Sequence, residues 1–316
     1  VGSEMCIWVR WHRLQGQEGT SVSTQYRTGS RRKRASLVGL GTTATLLMTG
    51  CSMDKAAVGW LPTKAGHPAT DNAENLMHLW VGIWSAALVV GLITWGLMLW
   101  CIIAYRRRKN ESGYPRQLSY HLPLEIFYTF VPVVLIVSMF TFSDRVERQV
   151  TGPKTGADRQ VTVEVYGKQW AWDFNYTDEN VHVTGVQAHL DGSPGKEAEL
   201  PTLYLPVNSN VDVVLKSRDV IHSFWVPAFL EKRDTIPGMT NHIHITTKEI
   251  GDYKGKCAEL CGEYHSEILF IVKVVSHEDY DNYINSLNQN PENQVIAGDE
   301  YNRNPNQNAT PRPANQ

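Results

Sequence analysis

Two long apolar runs dominate the first half of the chain. Leu79 to Tyr105 is about 27 residues without a charge and Ile126 to Phe142 about 17, against the roughly 20 that a helix needs to cross a bilayer. They are read as spans at about 79–105 and 122–142. Between them lies Arg106-Arg107-Arg108-Lys109, and positive charge beside a span marks the cytoplasmic side. The pattern therefore predicts a transmembrane hairpin over 76–143 with both outer ends, and everything after about residue 144, on the extracytoplasmic side. The second span opens with Leu122-Pro123-Leu124-Glu125, where a proline in the first turn forfeits no helical hydrogen bond.

Beyond Arg159 the period shortens to two. Val161, Val163 and Val165 alternate with polar residues, and Thr202–Pro206, Val211–Leu215, His242–Thr246 and Ile268–Val275 continue the theme. Turn-rich stretches such as Asp191-Gly-Ser-Pro-Gly195 separate them. Short alternating strands between turns predict an all-β sandwich or barrel over 144–285. From Ser286 onward Asn, Gln, Pro and charge take over, which predicts a disordered tail over 286–316. Residues 51–75 are polar and read as a surface linker. Upstream, over 1–50, Arg31-Arg32-Lys33-Arg34 precedes a short apolar stretch ending in Met48-Thr49-Gly50-Cys51, the layout of a secretory signal peptide. A cysteine directly after the glycine resembles the lipobox of bacterial lipoproteins, which implies lipid modification of Cys51.

Composition adds one correction to this outline. With 316 residues, 42% of them hydrophobic, and a formal net charge of −2, the chain would pass for an ordinary globular protein. Those averages conceal the segregation above, and also a charge asymmetry. Residues 144–285 carry roughly eight more acidic than basic side chains, a balance that suits either solubility or a basic partner.

The chemistry concentrates in Cys257-Ala-Glu-Leu-Cys261-Gly-Glu-Tyr-His265, with a second imidazole upstream in Asp219-Val-Ile-His222-Ser-Phe-Trp. Thiolates and imidazoles together select copper or zinc over hard cations. Two cysteines and two histidines can bridge two copper ions or hold one tetrahedral zinc. The cysteines can equally close a disulfide in an oxidising compartment, with the histidines as unrelated surface residues.

The pattern Cys-x-Glu-x-Cys-Gly-x-x-His-Ser, preceded by Asp219-Val-Ile-His-Ser-Phe-Trp-Val-Pro and by Gln169-Trp170-Ala171-Trp172, resembles subunit II of bacterial haem–copper cytochrome c oxidases over about residues 76–280. The resemblance implies a cupredoxin-like outer domain carrying a binuclear copper centre of the CuA type. In it Cys257 and Cys261 bridge two copper ions, His222 and His265 each cap one, and the backbone carbonyl of Glu259 is a weak further ligand. It implies that electrons enter at Trp170, while Trp172 belongs to the core. It implies that the Glu259 side chain completes a magnesium site shared with the catalytic subunit, and that Asp178, Glu179 and Asp219 form an acidic docking face. Glu125 matches the family's glutamate at the mouth of a proton channel. As a carboxylate in a first helical turn it would also gain about 0.3–1 kcal/mol from the helix dipole. One position departs: where the family has an axial methionine, this chain has Ile268, which cannot coordinate.

The function so implied is electron transfer from a c-type cytochrome to haem in subunit I, where oxygen is reduced to water and protons are pumped. Subunits I and III, the cytochrome and the bacterial cell membrane are the partners, and nucleic acid is not. The chain has no Cys-x-x-Cys-His, so it carries no covalently attached haem of its own. Two other readings compete. A copper-free quinol-oxidase subunit II is favoured by Ile268 and opposed by the paired thiols. A membrane-anchored copper carrier needs an open, exchangeable site.

Overall fold

The computed structural model describes residues 53–64, 66–107, 113–114, 119–187 and 200–293. The signal region, Cys51, Arg108-Lys109, the Asp191–Gly195 turn and everything after residue 293 lie outside them. The helices are α1 (Met53–Ala57), α2 (Asp71–Ala104), α3 (Leu122–Thr151) and α4 (His277–Asn288).

Both long helices begin where local chemistry dictates. Thr70 caps α2 by accepting the Ala73 N–H at 3.1 Å, with Asp71 and Glu74 in the first turn, where carboxylates meet the positive end of the helix dipole. For α3, the His121 ring accepts the Leu124 N–H at 3.2 Å and Glu125 reaches back to the His121 N–H at 3.2 Å. Mid-helix apolar side chains such as Leu88, Ile93, Trp95, Phe130 and Ile136 stand exposed. Both helices are long and apolar enough to cross a membrane. They also outrun the expected spans. At 1.5 Å per residue the 34 residues of α2 reach about 51 Å, against a hydrocarbon core of about 30 Å. Its polar first turns, like the last turns of α3, belong to the outer domain.

That changes the reading of residues 51–75, which are not a free linker over their described part. Val58 and Ala69 are buried, and Ala69 joins the hydrophobic core of the outer domain. Lys248 N–H donates to the Ala69 carbonyl at 2.9 Å. Fully buried Asn72 donates to Glu231 at 2.8 Å and to the His244 carbonyl at 2.9 Å. Lys154, just past α3, reaches Asp71 at 2.9 Å. These partners lie far along the chain, so no local periodicity announces the packing.

The outer domain is a sandwich of two five-stranded sheets, with order β3-β2-β1-β5-β8 and β4-β10-β9-β6-β7. The strands are β1 (Arg159–Lys168), β2 (Ala171–Tyr176), β3 (Val181–Thr184), β4 (Thr202–Pro206), β5 (Ser209–Ser217), β6 (His222–Val226), β7 (Glu231–Thr235), β8 (Asn241–Thr246), β9 (Gly251–Cys257) and β10 (Leu269–Val275). Alternation holds in β1 and β5: Val161, Val163, Val165, Val211, Val213 and Leu215 all point into the core. Parallel pairing of β1 with β5, and of β4 with β10, ties the order together.

Strand β2 shows no alternation, and β9 alternates in burial without an apolar sequence pattern to announce it. In β2 every residue is buried, Asp173 and Asn175 included. Asp173 binds Lys168 at 2.7 Å and Arg218 at 2.9 Å, all three side chains inaccessible to solvent. In β9 the sequence Gly-Asp-Tyr-Lys-Gly-Lys-Cys is polar, and Gly255 is small because a Cβ there would lie 2.2 Å from the Phe270 ring.

The expected tail begins too early. Ser276 caps α4 by accepting the Asp279 N–H at 3.1 Å. Tyr280 and Ile284 enter the core, and Tyr283 stacks on Tyr204 at 3.8 Å. Past α4, Asn293 donates to the His182 carbonyl at 2.7 Å. Asn- and Ser-rich composition masks an amphipathic turn pattern whose few apolar residues all face one way.

Candidate metal centre

The ligand-type residues gather at one end of the second sheet. His222 opens β6 and Cys257 closes β9, and the two strands are antiparallel neighbours with Phe224 opposite Cys257. The chain then loops through Cys261 to a 3₁₀ turn starting at His265 and returns as β10. Backbone bonds pin both ends of the loop: Cys257 N–H donates to Ile268 O at 3.0 Å and Ala258 N–H to Ser223 O at 3.0 Å.

The four side chains converge. The sulfurs of Cys257 and Cys261 lie 3.8 Å apart, and both are free thiols. The Nδ1 of His222 is 4.0 Å from the Cys257 sulfur, and the Nδ1 of His265 is 3.4 Å from that of Cys261. The Glu259 carbonyl oxygen is 3.2 Å from the Cys257 sulfur while its carboxylate is exposed. A metal at about 2.3 Å from two sulfurs with the observed spacing would see an S–metal–S angle of about 110°, which an unstrained thiolate pair can provide. The donor set therefore fits a soft or borderline ion.

Electrostatics prepare the same result. Asp219 Oδ1 holds Nε2 of His222 at 2.8 Å. A carboxylate can only accept, so Nε2 carries the proton and Nδ1 turns its lone pair toward the sulfurs. That is the usual outer support of a metal-binding imidazole. Burial opposes charge on the His222 ring, but Asp219 and the Cys257 sulfur outweigh it and raise its pKa. The thiols share a proton: the Cys261 S–H, helped by His222 and opposed by burial, lowers the pKa of Cys257 to about 3. The Cys257 sulfur and burial in turn push Cys261 well up. A cation bound between them replaces that shared proton.

Several supporting residues have roles that the motifs do not announce, although Gln169 and Gly262 stand inside them. Gln169 donates its backbone N–H to Asp219 at 2.7 Å and its side-chain amide to the Cys261 carbonyl at 2.7 Å, stitching β1 to the loop. Gly167 lies against the His222 ring, where a Cβ would come within 2.9 Å. Gly262 adopts φ +125°, which side chains rarely tolerate. The sequence hints at Gln169 and Gly262 through their places in the motifs, whereas Gly167 lies outside them.

Trp170 is half-buried rather than open, its ring edge-on to Tyr264 with centroids 4.8 Å apart. Trp172 is fully buried among Phe224 and Phe270. Ile268 is also fully buried and offers no donor atom. The three acidic docking candidates do not cluster. Asp219 belongs to the metal end, whereas Asp178 and Glu179 occupy the β2–β3 turn, about 20 Å away along β1 and β2. There Asp178 accepts the Thr162 N–H at 3.0 Å, and Glu179 pairs with Arg159 and the Tyr280 hydroxyl at 3.2 Å each. Glu125 stands at the far end of α3, engaged in its cap.

Comparison with known proteins finds one family. The family model for the periplasmic domain of cytochrome c oxidase subunit II matches residues 161–275. A probable cytochrome c oxidase subunit 2 of Streptomyces avermitilis is 40% identical over 268 residues, covering 76% of this chain and 82% of that one. Its counterpart in Nocardia farcinica is 33% identical over 336 residues, covering 85% and 88%. Among solved structures, the periplasmic domain of subunit II of cytochrome oxidase from Bradyrhizobium japonicum is 28% identical. That match covers 43% of this chain and 96% of that one, with a TM-score of 0.38. Sequence identity sustained along most of both chains makes this protein a member of the cytochrome c oxidase subunit II family.

Proposed function

We propose that the chain is the electron-accepting subunit of a cytochrome c oxidase, with a binuclear copper centre held by Cys257, Cys261, His222 and His265. One observation carries the reading: two free sulfurs 3.8 Å apart, each approached by the Nδ1 of a different imidazole. Held by Cys257, Cys261, His222 and His265, a pair of copper ions would supply a one-electron relay. The protein's part is to keep the donors still. Backbone bonds fix Cys257, Asp219 orients His222, and Gln169 holds the Cys261 carbonyl. Small movement between redox states favours fast transfer from a c-type cytochrome and onward to haem in the catalytic subunit, where oxygen is reduced and protons are pumped.

The Trp170–Tyr264 pair, beside His265 and at the domain surface, is the favoured point of electron arrival. Glu259 faces two ways, its carbonyl toward Cys257 and its carboxylate outward. Around that carboxylate, Val220, Ile221 and Leu260 expose apolar side chains, Leu260 to 79%. An apolar rim of this kind suits the catalytic subunit, with Glu259 reaching a magnesium ion at the border. The same donor set would hold zinc, but membership of the cytochrome c oxidase subunit II family favours copper. The paired thiols argue against a copper-free subunit, and their burial and backbone clamping against an exchangeable carrier.

The test is metal analysis and electron paramagnetic resonance of the purified complex. Copper beyond that of the catalytic subunit, with hyperfine structure from two equivalent ions, is expected. Zinc in its place, or a single-copper spectrum, overturns the assignment. Trp170→Phe is expected to slow cytochrome oxidation and leave the copper spectrum intact, whereas unchanged turnover would reduce Trp170 to a packing residue. Glu125→Gln is expected to lower steady turnover without altering copper, and an unchanged rate would leave Glu125 with its cap alone.

A further inference from the structure

A second group of ligand-type side chains lies on the other sheet, sharing no residue with the thiol loop. His242 and His244 are two apart on β8, so they share a face, and the intervening Ile243 and following Ile245 are buried in the core. Asp212 on β5 is the register partner of His244, and Val214 that of His242. Because a slip by one residue would drive both imidazoles into the core, the hydrophobic pattern itself fixes the three polar groups together on the outer surface.

Their atoms converge on one point. Nδ1 of His242 lies 2.9 and 3.1 Å from the two carboxylate oxygens of Asp212, and Nδ1 of His244 lies 3.2 Å from Oδ1. The three donor atoms fall within 4.8 Å of one another. The rings are nearly parallel, at 22° with centroids 5.5 Å apart, and present the same nitrogen to the same carboxylate. Tetrahedral ligands at metal distances of about 2.0–2.1 Å are separated by about 3.3 Å, so an ion would require only small side-chain adjustments. Two imidazoles and one carboxylate form a borderline donor set that suits zinc or copper(II) and not the oxygen-seeking calcium or magnesium. Solvent reaches the group, with side chains 43% (His242), 23% (Asp212) and 19% (His244) exposed. A fourth position therefore remains for water, as in three-ligand zinc sites.

We propose that Asp212, His242 and His244 form a second metal site, for zinc or copper(II), on the outer face of the β5–β8 pair. The strand that carries it also anchors the membrane hairpin. The His244 carbonyl accepts from Asn72 at 2.9 Å and the Thr246 N–H donates to Asp71 at 2.7 Å. An occupied site would brace the outer end of α2 against the sandwich.

The test uses the full chain in detergent with Cys257→Ser and Cys261→Ser, which removes the thiol ligands and makes the result independent of the copper assignment. After equilibration with zinc chloride and gel filtration, one zinc per chain is expected. Cobalt substitution should give weak visible bands without the intense near-ultraviolet absorption of a thiolate ligand. Adding Asp212→Asn or His244→Gln should weaken zinc by more than about tenfold, since loss of even an outer supporting partner costs about 10–100-fold. Should the double-serine chain misfold, the wild-type chain takes its place without copper loading, and it is expected to hold one more zinc per chain than its Asp212→Asn, His242→Gln, His244→Gln variant. Absence of zinc from the folded chain, or its undiminished retention after Asp212→Asn, His242→Gln and His244→Gln together, overturns the proposal.

Discussion

Two carboxylate–imidazole groups in this domain use the same functional groups in opposite ways. Asp219 grips the far nitrogen of His222 and leaves the near one facing two sulfurs in a buried pocket. Asp212 takes the near nitrogens of His242 and His244 on the open surface, becoming the point on which they meet. In the first arrangement the carboxylate supports a ligand, and in the second it would be one. Burial separates the two roles: the His222 ring is inaccessible, while both surface imidazoles meet water. What an Asp–His pair does therefore follows from which nitrogen is engaged and from how much solvent competes.

A third carboxylate extends the comparison to full burial. Asp173 neutralises part of the charge of Lys168 and Arg218 with no solvent access. Asp173→Ala would remove the carboxylate that two buried cations share and is expected to destabilise the domain by about 3–5 kcal/mol in denaturant unfolding. A loss below about 1 kcal/mol, the value typical of exposed pairs, would show that water reaches the cluster.

The next largest effect separates Asp219 from Asp212 directly. Asp219→Asn is expected to weaken copper retention by about 10–100-fold in chelator competition, because the amide can present its N–H to Nε2 and release the fixed tautomer. Asp212→Asn should leave the copper retained at the thiol loop unchanged. Equal effects of the two substitutions would abolish the distinction between support and surface ligand.

The smallest effect concerns the opposite end of the sandwich, where tyrosines replace metal ligands in the packing. Burial raises the pKa of Tyr176, Tyr280 and Tyr283. The folded state thus keeps protons that the unfolded state loses above about pH 10, so their contribution is intact below that pH and declines as pH rises further. Each group contributes up to about 1.4 kcal/mol per pH unit to that slope. Tyr280→Phe should flatten the fall in stability between pH 10 and 12 by about one proton's worth. An unchanged slope would mean that other groups govern alkaline unfolding.

Much of this was legible in the residues because the physics was local. Charge-free length announces a helix able to cross a membrane. Alternating valines in β1 and β5 had to face a core. Cys257, Cys261 and His265 fall within one loop, so their neighbourhood needs no tertiary information. Other features depended on partners distant in the chain. Strand β2 hides because its buried Asp173 and Asn175 break the apolar pattern, and their burial is tolerable only beside Lys168, Arg218 and the neighbouring strands. The segment before α2 reads as a linker because Ala69 and Asn72 are unremarkable until Lys248, Glu231 and His244 arrive. Helix α4 was concealed by its polar composition.

The sequence alone determined two apolar helices, a β-rich outer domain and a compact thiol–imidazole loop, since each follows from periodicity or from close spacing. Tertiary structure decided which nitrogen of His222 faces the sulfurs, that Asp178 and Glu179 lie away from Asp219, and that Asp212 meets His242 and His244. Those outcomes depend on strand order and register, which bring together residues that the linear chain keeps apart.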